Sequence, residues 1–289
     1  MSRNYYYLVA GLPDLFLDQE TKDFNIDRIL EEFQEHLNPK DYELIQLINL
    51  PFDNENFLNF VLQRNKEFSS LGMFKKELYE ELNENILLFP KYFQDFYASY
   101  TGKTLEEENA EEADDLFEEE RVEKGHEVRF YELFFDYICK QDNWFISKWF
   151  TYLFQLQNIL SAISCRTIGI DAKEHLVGKG ELIEALTRSQ APDFGLKRDI
   201  DYIDKLISIT EIPDIMERER RIDLLKWDMV NELTLWEYFS TEYILGFMVK
   251  AQIVYRWSKL DSKVGQEMFK KLMADLRKTY AMPSDFNKK

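Results

Sequence analysis

Four groups of residues in this chain have types and spacing that could do chemistry: a Gly-Lys-Thr, three histidines, two cysteines and a repeated Asn…Arg pair. Gly102-Lys103-Thr104 closes "YASYTGKT" like the tail of a phosphate-binding loop, where backbone amides wrap a phosphate and the lysine meets its charge. The first glycine of such a loop would fall at Tyr97, inside an aromatic stripe with helical spacing. No flexible loop is therefore expected there, and no nucleotide. "GKGELIE" (178–184) lacks the third glycine of a dinucleotide fingerprint and follows no strand, so it predicts a helix-start turn. His36, His126 and His175 have no partner at i+4, the spacing by which one helix face offers two ligands to zinc. His126-Glu127, following Gly125, reads as a surface pair at a helix start. Cys139 and Cys165 sit in apolar helical patterns without metal-type spacing, as buried free thiols do. No G-x-S-x-G elbow occurs, and carboxylates are too numerous for any pair to stand out as acid and base. No catalytic set, metal or cofactor is expected.

The repeated pair is more specific. "FDNENFLNFVLQR" (52–64) and "FQLQNILSAISCR" (154–166) superpose without gaps. Phe52 matches Phe154, Asn56 matches Asn158, an apolar pair follows each asparagine, and Arg64 matches Arg166. Two helices can share apolar spacing by chance. Asparagine and arginine at identical offsets favour a duplicated helical unit, and the 102-residue offset suits repetition of a small bundle rather than a solenoid.

The elements that must carry these residues read as helices. Ile26, Ile29, Leu30, Phe33 and Leu37 make one apolar stripe, and Asn38-Pro39 with Asp41 is a helix start. Tyr92, Phe93, Phe96, Tyr97 and Tyr100 form a stripe ending at Thr101-Gly102, and Phe145 to Ile163 continues one face for about five turns. Asp214 is positioned to cap a helix reaching Tyr238. Ser240 or Thr241 can cap another reaching about Leu260, and a last helix is expected over about 262–280. "MERERRIDLLKW" (216–227) mixes signs as a solvated helix face does, with a partner-binding stripe as the alternative. The opening "NYYYLVAGLPDLF" is expected to lay its tyrosines across a bundle, rings inward, with Gly11 to Asp14 turning the chain. The predicted fold is all-α, with a first bundle over 1–104, an acidic linker over 105–124 and a second helical region of one or two bundles over 125–289.

Composition agrees. Glycine and proline number 17 of 289, and hydrophobic residues make up 45%, enough for a sizeable core. A net charge of -18 disfavours nucleic acid and anionic lipid, while leaving basic protein surfaces open as partners. Half of that charge lies in "EEENAEEADDLFEEERVEK" (106–124), eleven acids against Arg121 and Lys124. Like-charge blocks stay solvated, so this reads as a linker or an exposed helix start; capture of a basic partner or of cations is the alternative. No stretch is long and apolar enough to span a bilayer, and the start lacks the parts of a signal peptide, so a cytoplasmic location is expected.

"YYYLVAGLPDL", "LPFDNENFLNFV" and "EYILGFMVKAQIVYRWSKL" resemble a bacterial protein family associated with V/A-type rotary ATPases. That family is itself similar to the ATPase component named C in prokaryotes and d in eukaryotes. Asp53, Asn56 and Arg64 resemble one copy of that component's repeat motif. Asn158 and Arg166 resemble a second, with Gln155 in place of the acid, and Lys250 with Arg256 resembles the last, with Gln252 where an acid is common. The resemblance implies helical bundles arranged as a funnel. It also implies a noncatalytic coupling subunit peripheral to the cytoplasmic face, joining rotor-shaft subunits to the proteolipid ring. A helical adaptor or assembly chaperone for the ATPase is the alternative reading.

Overall fold

In the computed structural model, residues 4–17, 24–102 and 125–259 are described. The acidic segment 106–124 and the expected helix over 262–280 lie outside them. The fold is all-α; among the described residues the only bridge between extended segments is the isolated pair Asn4 and Ser240. No helix among them is long and apolar enough to cross a membrane.

The described residues form two compact units. One gathers those within Met1–Leu37 and Phe239–Lys289. It begins with α1 (Tyr6–Gly11), a short helix that ends where Leu12 turns extended before Pro13. Tyr5 donates its backbone N–H to Phe239 O at 2.6 Å, and the Tyr6 ring leans on Phe239 at 5.0 Å. The expected inward set of the tyrosines does not hold, because Tyr6 is 56% and Tyr7 97% exposed. A helix this short buries no residue, so main-chain bonds and one ring contact anchor the segment instead. α2 (Ile26–His36) is capped by Asn25 and buries Ile26, Ile29 and Phe33 on one face. Phe33 meets Phe247 edge-on at 6.2 Å. Phe247 belongs to α12, helical over residues 241–259, whose start Ser240 caps through Tyr243 N–H.

The second unit, Asn38–Tyr238, holds the repeated segments. Asn38 caps α3 (Pro39–Val61), whose first position is the proline that the missing amide favours there. α3 runs on through Pro51, a residue that removes an internal hydrogen bond and would ordinarily break a helix. Two short helices follow, α4 (Lys76–Glu80) and α5 (Leu82–Asn85), then α6 (Lys91–Thr101), which stops at left-handed Gly102. The Gly-Lys-Thr glycine is thus a helix cap. α7 (His126–Ile138) packs directly on α6, so the sequence-based division at 104 and 125 falls inside this unit.

Phe57 of α3 sits at the centre of that packing. Its ring meets Phe93 edge-on at 4.7 Å and stacks on Phe130 at 5.4 Å, fixing α3, α6 and α7 together. Phe134 against Phe150 and Phe135 against Phe154 carry the core into α8 (Trp144–Ile168). α9 (Glu181–Arg188), α10 (Ile203–Thr210) and α11 (Ile215–Thr234) complete the unit. Asp214 caps α11 as expected, but the helix stops at Thr234, short of Tyr238. Leu235, Trp236 and Tyr238 are exposed, so burial does not reward a further turn. Along α11, Glu217 pairs with Arg221 at 2.6 Å, as mixed signs at i,i+4 should.

Candidate functional site

The seven motif residues lie on three helices: Asp53, Asn56 and Arg64 on α3 and just past its end, Asn158 and Arg166 on α8, and Lys250 and Arg256 on α12. Alpha-helical spacing puts Asp53 and Asn56, three residues apart, on one face. Both point into the unit and are buried. Each holds part of the loop that follows α3. The Asn56 amide closes on a single residue: Ser69 N–H donates to Oδ1 at 2.8 Å, and Nδ2 donates to Ser69 O at 2.9 Å. Asp53 receives Met73 N–H at 2.8 Å, Phe74 N–H at 3.2 Å and the Tyr79 hydroxyl at 2.8 Å. Gly72 lies so close to this carboxylate that a Cβ there would overlap it. Burial pushes the Asp53 carboxyl up to about 6, against the pull of its three donors. Burial, reinforced by the Asp53 charge, also raises the Tyr79 hydroxyl, which stays protonated and donating.

Asn158 repeats the closure on α8. Val177 N–H donates to its Oδ1 at 2.8 Å and its Nδ2 donates to Val177 O at 3.1 Å, with a further bond to Phe154 O. The next residue, left-handed Gly178, is pressed against Phe154, one turn before Asn158 on the helix. Its N–H donates to Glu132 of α7 at 3.2 Å. The "GKG" glycines are therefore a loop pressed against a helix and leading to the start of α9, with Gly180 as its N-cap.

The matched arginines also reach across to neighbouring segments. Arg64 forks onto Glu127 of α7, with Nη2 at 2.8 Å and Nη1 at 3.4 Å, and that carboxylate raises the guanidinium's pKa. Arg166 donates to two carbonyls, Ala191 O at 2.8 Å and Ser189 O at 2.9 Å, while its guanidinium lies 3.8 Å over the Phe194 ring. Lys250 is half-buried on α12, which lowers its pKa, and Arg256 is exposed. These two belong to the other compact unit.

The motif asparagines and Asp53 thus hold backbone in place, and the geometry suits positioning rather than bond-making. Among the described residues no three His, Cys, Asp or Glu side chains gather as metal ligands would. Cys165 is buried, whereas Cys139 is half-buried and accepts a bond from Thr151. Sequence reasoning missed the loop partners Ser69, Gly72, Tyr79 and Val177, and took Gly178 for part of a helix-start turn without seeing that it presses on α8. Gly72, an isolated glycine in "FSSLGMF", was a signal left unused.

Over residues 1–280 the chain matches a family described as a protein of unknown function, DUF2764. No curated protein and no solved structure matches it.

Proposed function

The chain belongs to the DUF2764 family, and we propose that it serves as a noncatalytic coupling subunit of a V/A-type rotary ATPase. In this role it is a socket that joins the central rotor stalk to the membrane proteolipid ring at the cytoplasmic face. The observation that carries the reading is the pair of asparagine closures at Asn56 and Asn158, each locking the loop after a long helix onto that helix. Two helix–loop units braced by the same kind of buried polar closure make a stiff body, and a torque-bearing coupler needs stiffness more than a moving lid. The resemblance of the three sequence blocks to the ATPase-associated family supplies the partner. The net charge of -18 suits docking on basic cytoplasmic loops.

The test is an affinity pull-down of the tagged chain from detergent-solubilised membranes of a cell carrying the ATPase. Rotor-shaft and proteolipid subunits that stay bound through high-salt washing support the coupling role. ATPase subunits that elute on washing indicate an assembly factor instead, and their complete absence ends the ATPase reading.

A further inference from the structure

α3 carries a third asparagine of the same kind whose amide is not closed on anything. Asn59 lies three residues beyond Asn56, so the two share a face of the helix. It is 8% exposed, and neither its Oδ1 nor its Nδ2 has a hydrogen-bond partner among the described residues. Leaving both groups out of water and unpaired costs roughly 1–3 kcal/mol each. Native structures satisfy most buried polar groups, so an amide with both ends unpaired calls for an explanation such as a bound group.

Asn59 lines a groove of about 400 Å³ at the C-terminal end of α3. Gln63 and Asn65 add two more carboxamides to its wall, and exposed Phe60 gives it an apolar platform. Gln63 is left-handed at φ 52, just past the helix end, where glycine is the usual and less strained choice. Strained backbone of this kind clusters at ligand clamps and active sites. Lys66 and Lys76 also line the groove, but each already faces a carboxylate, so charge does not select the occupant.

A carboxamide offers one acceptor and donors side by side, the complement of one residue's N–H and C=O. Asn56 on Ser69 and Asn158 on Val177 are that pairing, made within the chain. We infer that the groove is a docking site for an extended peptide segment of a partner protein. In it, Asn59 closes on one backbone residue and an apolar side chain of that segment covers Phe60. A rotamer change of Asn59 or of exposed Gln63 admits the strand. The inference does not rest on the ATPase role, since its precedent is internal to the chain.

The experiment uses the full chain labelled with 15N-asparagine and follows the Asn59 side-chain NH2 signal, assigned from its absence in Asn59→Leu. The probes are acetyl-Ala-Leu-Ala-amide and its depsipeptide, in which the leucine N–H is replaced by an ester oxygen. The peptide is expected to move the Asn59 signal saturably in the millimolar range. The depsipeptide should need about fivefold more, the loss of one neutral hydrogen bond. Asn59→Leu, with unchanged melting, should not bind. An Asn59 signal unmoved at about 10 mM peptide, or peptide and ester binding alike, overturns the proposal. So does an amide that only exchanges with ordered water whether or not peptide is added. The peptide–ester comparison decides the matter even if Asn59→Leu fails to fold.

Discussion

Asn56 and Asn158, 102 positions apart in the chain, make the same two hydrogen bonds to the backbone N–H and C=O of one residue in the loop that follows their helix. In both places a loop glycine presses against the helix about one turn before the asparagine, Gly72 on Asp53 and Gly178 on Phe154. The shared feature is a mode of closure. The loop lengths differ, 13 residues from Asn56 to Ser69 and 19 from Asn158 to Val177.

Changing either asparagine to aspartate keeps the acceptor and sets a second oxygen against a carbonyl. Asn56→Asp and Asn158→Asp are each expected to lower stability by about 2 kcal/mol or more, with a buried donor lost and a charge introduced. The loss at Asn158 should be larger, since its Nδ2 also serves Phe154 O. Urea unfolding followed by circular dichroism measures both. Losses below about 0.5 kcal/mol, the scale of ordinary surface substitutions, would remove the closures from the account of stability.

Gly72→Ala tests the close approach to Asp53. A methyl group there overlaps the carboxylate, so the loop must shift and stretch the bonds from Met73 and Phe74. An expected loss of about 1–3 kcal/mol, typical of overpacking, contrasts with Gly125→Ala, where a Cβ meets nothing. Equal melting temperatures for the two variants would contradict the packing.

Asp53 gives a pH test with a definite sign. Its carboxyl is raised to about 6 in the folded chain, above the ordinary value of 3.8. The contribution is therefore fully present below about pH 4 and is lost as pH rises through about 6. Between pH 4.5 and 7 the stability gap between wild type and Asp53→Asn should narrow by about 2 kcal/mol. A gap that widens with pH would mean that Met73, Phe74 and Tyr79 outweigh burial and hold the group ionised.

The two arginines should separate by environment. Arg64→Ala breaks a half-exposed ion pair with Glu127 and should cost no more than about 1 kcal/mol, shrinking in high salt. Arg166→Ala removes two bonds to carbonyls and the stack on Phe194, so its cost should be larger and nearly independent of salt. Thermal melts at low and high ionic strength distinguish the two.

Much of this architecture was legible because helices write their signals locally. Caps such as Asn38-Pro39 and Asp214 and the stripes of α2, α6 and α8 depend on neighbours within a turn or two. The Asn…Arg spacing singled out positions on α3 and α8, but what their side chains hold could not be read from it. Ser69 and Val177 offer only backbone, which leaves no trace in residue type. Tyr7 shows a second limit, because an aromatic run predicts burial and a six-residue helix has no face to bury it. The end of α11 shows a third limit, because a cap such as Asp214 signals where a helix starts, and the predicted end at Tyr238 overran the observed one at Thr234, where the chain becomes exposed.

The coupling role is tested most directly by counting this chain in the intact ATPase. A fluorescently tagged chain is expressed at its native level, the detergent-solubilised enzyme is isolated through a different component, and photobleaching steps are counted per complex. A coupling subunit gives one bleaching step in most complexes, one socket for one central shaft, and keeps it through washing. Enzyme that is fully assembled and active without any copy of the chain would contradict the role.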